Sequence, residues 1–117
     1  MISSVNNGLS ALRAFGEKMA VTSNNVANVN TEEFKKSRAI LKEGSNGDVQ
    51  VEIERVNTPG PTIVEINDGK MTEKELSNVD LAEEITQTML AQRGYEANLT
   101  TIKTLDEMLG TLVDIIG

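Results

Sequence analysis

The sequence contains no cysteine, histidine or tryptophan, and only two phenylalanines and one tyrosine. Without Cys and His, the chain has no thiol nucleophile, no disulfide, no zinc site built on those ligands and no imidazole general base. The scarcity of aromatic residues leaves few of the large rigid side chains that line ligand pockets. The composition therefore argues against an enzyme, and we expect neither a cofactor nor a metal ion.

Long apolar runs are also absent, since the longest apolar clusters fall far short of the ~20 residues that a bilayer-spanning helix needs. We therefore expect no membrane insertion. The first seven residues contain neither the basic region nor the apolar run of a cleaved secretory signal. From this we expect that the protein carries no cleaved signal peptide.

Positive charge is scarce, because 11 basic residues stand against 18 acidic ones and give a net charge of -7. A chain of this charge repels phosphate backbones, so nucleic acid is not expected as a partner. The charge is also uneven: residues 1–30 carry a net charge of +1, whereas residues 71–117 carry -6. The two ends, or the ends of two copies, are therefore able to attract each other.

A heptad pattern predicts a helix over about residues 3–27. Apolar or small residues recur three and four positions apart, which places them on one side of the helix: Ile2, Val5, Leu9, Leu12, Gly16, Met19, Ser23 and Val26.

The carboxy-terminal part predicts a second, longer helix over about residues 79–115, which contains no proline. Its apolar pattern passes through Leu81, Ile85, Gln92, Tyr95, Leu99, Ile102, Leu109 and Ile116. About 37 helical residues span roughly 55 Å, whereas a compact chain of this size has a radius of gyration near 13 Å. The sequence therefore predicts an elongated molecule whose helices need lateral partners.

The middle third predicts a small β element. Polar and apolar residues alternate over residues 48–54, and residues 37–42 form the preceding strand of a hairpin. A short third strand is predicted over Ile63–Ile66, and Asn67-Asp68-Gly69 ends it. The predicted fold is mainly α with this short hairpin or three-strand insert between two long helices that pair as a coiled coil. The expected divisions are residues 1–36, 37–70 and 71–117.

Two polar groups have competing interpretations. Glu83 and Glu84 are adjacent on a helix and point about 100° apart, so we expect them on a solvated face rather than in an acid-base or metal site. The Asn-rich stretch Ser23–Thr31 is either a helix end and turn or a surface whose amides interlock with copies of itself.

That stretch, continued by Phe34-Lys35-Lys36-Ser37-Arg38, resembles the amino-terminal signature of bacterial flagellar rod and hook proteins. A closer resemblance, to the carboxy-terminal motif of the same family, is found in residues 77–84, 91–98 and 103–109. Two features depart from the family. Glu33 occupies the position where the family usually has glycine, and only about 40 residues, too few for a large outer domain, separate the motifs.

The resemblance implies a structural subunit of the flagellar basal-body rod. It also implies terminal helices packed in the inner layer of a tube, an outward β part, and export through the flagellar type III apparatus. The partners would be copies of itself and other rod or hook axial proteins. From the heptad pattern and the Asn-rich stretch, the expected assembly interface comprises Val5, Leu9, Leu12, Met19, Asn24, Asn25, Val26, Asn28, Ile85, Gln92, Tyr95, Asn98, Leu99, Ile102 and Leu109.

Two other functions stay open on the sequence alone. The first is a soluble helical binding module that captures flagellar axial subunits before export, as a chaperone does. The second, a hydrolase, is opposed by the lack of His, Cys and a facing pair of carboxylates.

Overall fold

Two long helices at the ends of the chain flank four short strands. A computed structural model describes residues 2–116; Met1, Gly117 and the side chain of Ile2, which the heptad pattern includes, lie outside the described part. The elements are α1 (Ile2–Ala27), β1 (Ser37–Glu43), β2 (Val49–Arg55), β3 (Thr62–Asn67), β4 (Lys70–Glu75) and α2 (Leu81–Ile116). The molecule measures 83 × 24 × 15 Å with a radius of gyration of 21.0 Å. The prediction of an elongated, mainly helical fold is confirmed.

The two helices pack side by side in antiparallel directions. Asn25, near the end of α1, bonds to Glu84, near the start of α2. At the other end of the pair, Gly8 lies against Ile102. Because α2 is ten residues longer than α1, its last turns extend beyond the start of α1.

The predicted hairpin forms from β1 and β2, which pair antiparallel from Ser37 and Arg55 to Glu43 and Val49. It lies along α1, where the backbone N–H of Val49 donates to the Ser10 hydroxyl at 3.0 Å. The turn at its tip uses Gly47 at a φ of 79°, a conformation that glycine adopts without steric cost. One flank of α1 is thereby covered by the sheet.

A second hairpin, β3–β4, differs from the three strands that the sequence predicted. The fourth strand was missed because Lys70–Glu75 has only one apolar residue, Met71, and so lacks the alternation that marks a half-buried strand. Its signal was the Asp68-Gly69 dipeptide, whose φ angles of 52° and 77° suit a tight hairpin turn. Within the described part of the chain, this hairpin packs against neither helix.

The side chain of Asn78 joins the β element to α2. Its carbonyl oxygen accepts from the backbone N–H of Lys36 at 2.7 Å, and its amide donates to the carbonyls of Val56 and Thr58 at 2.8 and 2.9 Å. The helix begins three residues later, at Leu81, and the Asp80 carboxylate caps it by accepting from the Ala82 N–H. Asn78 therefore ties the segment before β1 and the loop after β2 to the segment that leads into α2.

Glu33 lies in the turn between α1 and β1 and has a φ of 59°. This left-handed conformation is the one that glycine adopts easily and that costs other residues about 1–2 kcal/mol. The turn is held because the Glu33 N–H donates to the Glu75 carbonyl at 3.1 Å. The chain thus keeps a conformation suited to the glycine of the family motif while carrying a glutamate.

We expect Glu33→Gly to stabilise the protein by about 0.5–1 kcal/mol, because the relief of left-handed strain exceeds the added entropy of the unfolded chain. Urea denaturation followed by circular dichroism measures this change. Asp68→Gly is the control, since Asp tolerates φ > 0 better than Glu and a smaller gain is expected. Equal or lower stability of Glu33→Gly would contradict the strain argument.

Candidate functional site

Small side chains allow α1 and α2 to approach closely. Ala91 is completely buried, and a Cβ atom added to Gly94 would lie 2.5 Å from the ring of Phe15. Half-buried Asn98 and Leu105 continue the same side of α2. We call this side, with Glu84, Ala91, Gly94, Asn98 and Leu105, the inner face of α2.

A buried polar junction ties this inner face to α1 and β1. The Asn25 amide, 1% exposed, donates to the Ser37 carbonyl at 2.7 Å and to the Glu84 carboxylate at 3.2 Å. The Ser37 N–H donates back to the Asn25 side-chain oxygen at 3.0 Å. The prediction that Glu84 lies on a solvated face is therefore wrong, because the residue is only 3% exposed and its carboxylate accepts a hydrogen bond from Asn25.

The neighbouring Glu83 is also engaged, because its carboxylate forms ion pairs with Arg38 and Lys36. The hydrogen bond from Arg38 and, to a smaller extent, that from Lys36 lower the pKa of Glu83. On the far side of the loop, Lys35 lowers the pKa of Glu75 in the same way. Lys36 and Arg38 thus fasten the start of β1 to the start of α2, and Lys35 joins the same segment to β4.

The structure divides the predicted interface residues into three groups. Asn25 is buried in the polar junction. Eight are half-buried along the helix pair or at its end: Val5, Leu12, Met19, Val26, Asn28, Asn98, Ile102 and Leu109. Six lie on the surface: Leu9, Asn24, Ile85, Gln92, Tyr95 and Leu99.

The exposed residues of α2 follow a heptad spacing of their own. Leu81, Ile85, Gln92, Tyr95 and Leu99 lie on one side of the helix, and we call this set the α2 outer stripe. Positions 85, 92 and 99 each directly follow positions 84, 91 and 98 of the inner face, so the stripe lies about 100° around the helix. Ile85 and Leu99 are each 51% exposed.

The exposed side chains of the α2 outer stripe are mostly large and apolar. Among residues 2–116, no group of three or more acidic side chains is close enough to hold a metal ion. Neither helix, over the residues described, combines the length and apolar character needed to cross a bilayer.

Three structural residues were missed by reasoning from the sequence. Glu84 and Asn78 gave no signal, because burial of a polar side chain depends on partners distant in the chain. Gly94 did give one, since a glycine inside a long helical pattern costs about 1 kcal/mol and often marks a close approach.

We expect Asn25→Ala to destabilise the protein by about 2–4 kcal/mol, because it leaves the buried Glu84 carboxylate and the Ser37 N–H without their partner. Chemical denaturation measures the loss. The neighbouring Asn24 is exposed, so Asn24→Ala is the control and should change stability by less than about 0.5 kcal/mol. Similar values for the two variants would refute the role of the junction.

A second prediction concerns the close approach of the helices. Gly94→Ala places a Cβ against Phe15 and should cost about 1–3 kcal/mol, which exceeds the helix-propensity gain of about 1 kcal/mol. Gly110 has open space around it, so Gly110→Ala should stabilise by up to about 1 kcal/mol. Urea unfolding of the two variants measures these changes in stability, and stabilisation of both variants would exclude tight packing at Gly94.

Comparison with known proteins places both helical ends in one family. The family described as "Flagellar basal body rod FlgEFG protein C-terminal" matches residues 74–115, and "Flagella basal body rod protein" matches residues 6–35. The second match includes Asn25 and the Glu33 turn, and the first includes the whole α2 outer stripe.

Individual relatives agree. The flagellar hook protein FlgE of Salmonella typhimurium is 49% identical over 51 residues, which are 42% of this chain and 13% of that protein. The flagellar basal-body rod protein FlgG of Bacillus subtilis is 49% identical over 41 residues, 35% of this chain and 16% of that protein. The matched segments are thus less than a fifth of these relatives' length. With both terminal motifs matched in order, the chain belongs to the family of flagellar rod and hook proteins.

Proposed function

We propose that this protein is a non-enzymatic structural subunit of the flagellar basal-body rod that assembles helically through its terminal helices and transmits torque. The single observation that carries the proposal is the exposed α2 outer stripe. Its Leu81, Ile85 and Leu99 side chains are 45–51% exposed on a helix that already has one partner.

The energy available from covering this stripe is sufficient to drive association. Burying a Leu or Ile completely is worth about 1.5–3 kcal/mol, so covering the exposed half of three such residues and Tyr95 yields roughly 3–5 kcal/mol per contact. In a polymer each subunit makes several contacts, and these gains accumulate. A helical assembly is therefore favourable even where a single pairwise contact is weak.

The proposed partners are further copies of this chain and other rod or hook axial proteins, and the proposed location is the rod that spans the periplasm. Family membership supports both. We further propose delivery by the flagellar type III export apparatus, in keeping with the export route that the family resemblance implies. In this arrangement, the helices of the divisions 1–36 and 71–117 lie at the tube axis, and the strands lie outside: those of 37–70 together with β4, most of which belongs to the third division.

We expect Leu99→Asp to abolish assembly, because a carboxylate in the stripe would have to lose its hydration at the contact. Electron microscopy and sedimentation of concentrated protein, alone and with other rod proteins, measure polymer formation. Thr100→Asp introduces the same charge at the adjacent exposed position and is the control, with polymers expected.

If Leu99→Asp forms normal polymers, the α2 outer stripe is not part of the assembly interface. A wild-type protein that stays a small defined oligomer at every concentration, with and without rod proteins, would instead indicate a chaperone-like binding module. Circular dichroism of each variant verifies that the helices are intact.

A further inference from the structure

The solvent-facing side of α1 carries a stripe of mostly small residues. Its members recur four and three positions apart, and we call them the α1 outer stripe: Leu9, Arg13, Gly16, Ala20, Ser23 and Ala27. All are exposed except Gly16, which is half-exposed. The stripe faces away from both the β1–β2 hairpin, which contacts Ser10, and α2, which contacts Phe15.

Gly16 has no packing role within the molecule. A Cβ atom at this position would meet no atom within 4 Å, whereas one at Gly8 or Gly94 would press against Ile102 or Phe15. A glycine inside a helix costs about 1 kcal/mol relative to alanine. The structure therefore explains Gly8 and Gly94 by contacts inside the molecule, whereas Gly16, like Gly110, has open space around it; of these two, Gly16 lies within a stripe of exposed small residues.

We propose that the α2 outer stripe of a second copy of this chain packs antiparallel against the α1 outer stripe, with Arg13 opposite Glu96. The contact rests on the proposed function and specifies which surfaces meet. Shape supports the pairing, because one stripe is made of large side chains and the other of small ones. Both stripes also cover the same length, about 27 Å from Leu9 to Ala27 and from Leu81 to Leu99.

Charge supports the same partner and fixes its register. Within one molecule, Phe15 lies against Gly94 and Asn25 bonds to Glu84. An α2 helix from a second copy in the same antiparallel register brings Glu96 level with Arg13. Both side chains are exposed, and neither forms an ion pair with another residue in the described part of the chain.

The alternative pairing of two α2 outer stripes is disfavoured by charge. Residues 71–117 carry a net charge of -6, whereas residues 1–30 carry +1. Two α2 helices would therefore repel each other, whereas an α1 helix and an α2 helix would not. Large residues on both sides would also prevent the close approach that Gly16 and Ala20 permit.

The first test compares Ala20→Leu with Ala97→Leu, which makes the same substitution at an exposed α2 position outside both stripes. Sedimentation velocity over a concentration series measures self-association of the full chain. Leu is a good helix former, so neither variant should unfold. We expect Ala20→Leu to weaken association at least tenfold by filling the small-residue stripe, and Ala97→Leu to behave as wild type.

The second test reverses the charges at the Arg13–Glu96 pair. Arg13→Glu and Glu96→Arg alone should each weaken association about fivefold at low salt, and the double variant should restore it. Failure of the double variant to restore association, or wild-type association of Ala20→Leu, would overturn the proposed contact. Polymers that form with neither test affecting them would leave the proposed function standing on another surface. A wild-type chain that associates only with other rod proteins would overturn the contact between copies alone, and one that associates with neither would overturn both.

Discussion

The close approach of α1 and α2 is the constraint on which the remaining structure depends. It requires a small inner face on α2, supplied by Ala91 and Gly94, against which Phe15 packs. Side chains of this size cannot bury much apolar surface, and the larger residues Leu81, Ile85 and Leu99 of the same helix lie on its outer side. The helix pair therefore leaves an exposed stripe available to a neighbouring molecule.

A polar junction compensates for the small apolar contact between the helices. Asn25 bonds to both Ser37 and Glu84, and therefore joins α1, β1 and α2 at one point. Directed hydrogen bonds fix orientation in a way that apolar contact does not, since each donor has few acceptable positions. Asn78 serves the same purpose where the strands return to α2. The helix pair and the β element are thereby held in a fixed relation along the molecule.

Reasoning from the sequence succeeded where local pattern decides the outcome. The heptads of α1 and α2 and the alternation of β2 predicted their elements within a few residues, and length alone predicted the elongated shape. It failed at β4, whose single apolar residue gives no periodic signal, and at Glu84, whose burial depends on Asn25 at a distance of 59 residues in the chain. Over residues 81–99, the apolar pattern of α2 also selected the outer stripe rather than the inner face, because periodicity registers size and hydrophobicity but not closeness of approach.

The burial pattern also bears on how the molecule is stabilised. The four buried apolar residues in the described part of the chain are all alanines, at positions 11, 14, 39 and 91. Burying a methyl group is worth about 0.8 kcal/mol, whereas a Leu or Ile contributes about 1.5–3 kcal/mol. Most of the large aliphatic side chains of α2 are therefore covered only partly in a single molecule, and much of their stabilising potential is unused. We therefore propose that contacts between molecules supply what the small core does not, which would link folding energetically to assembly.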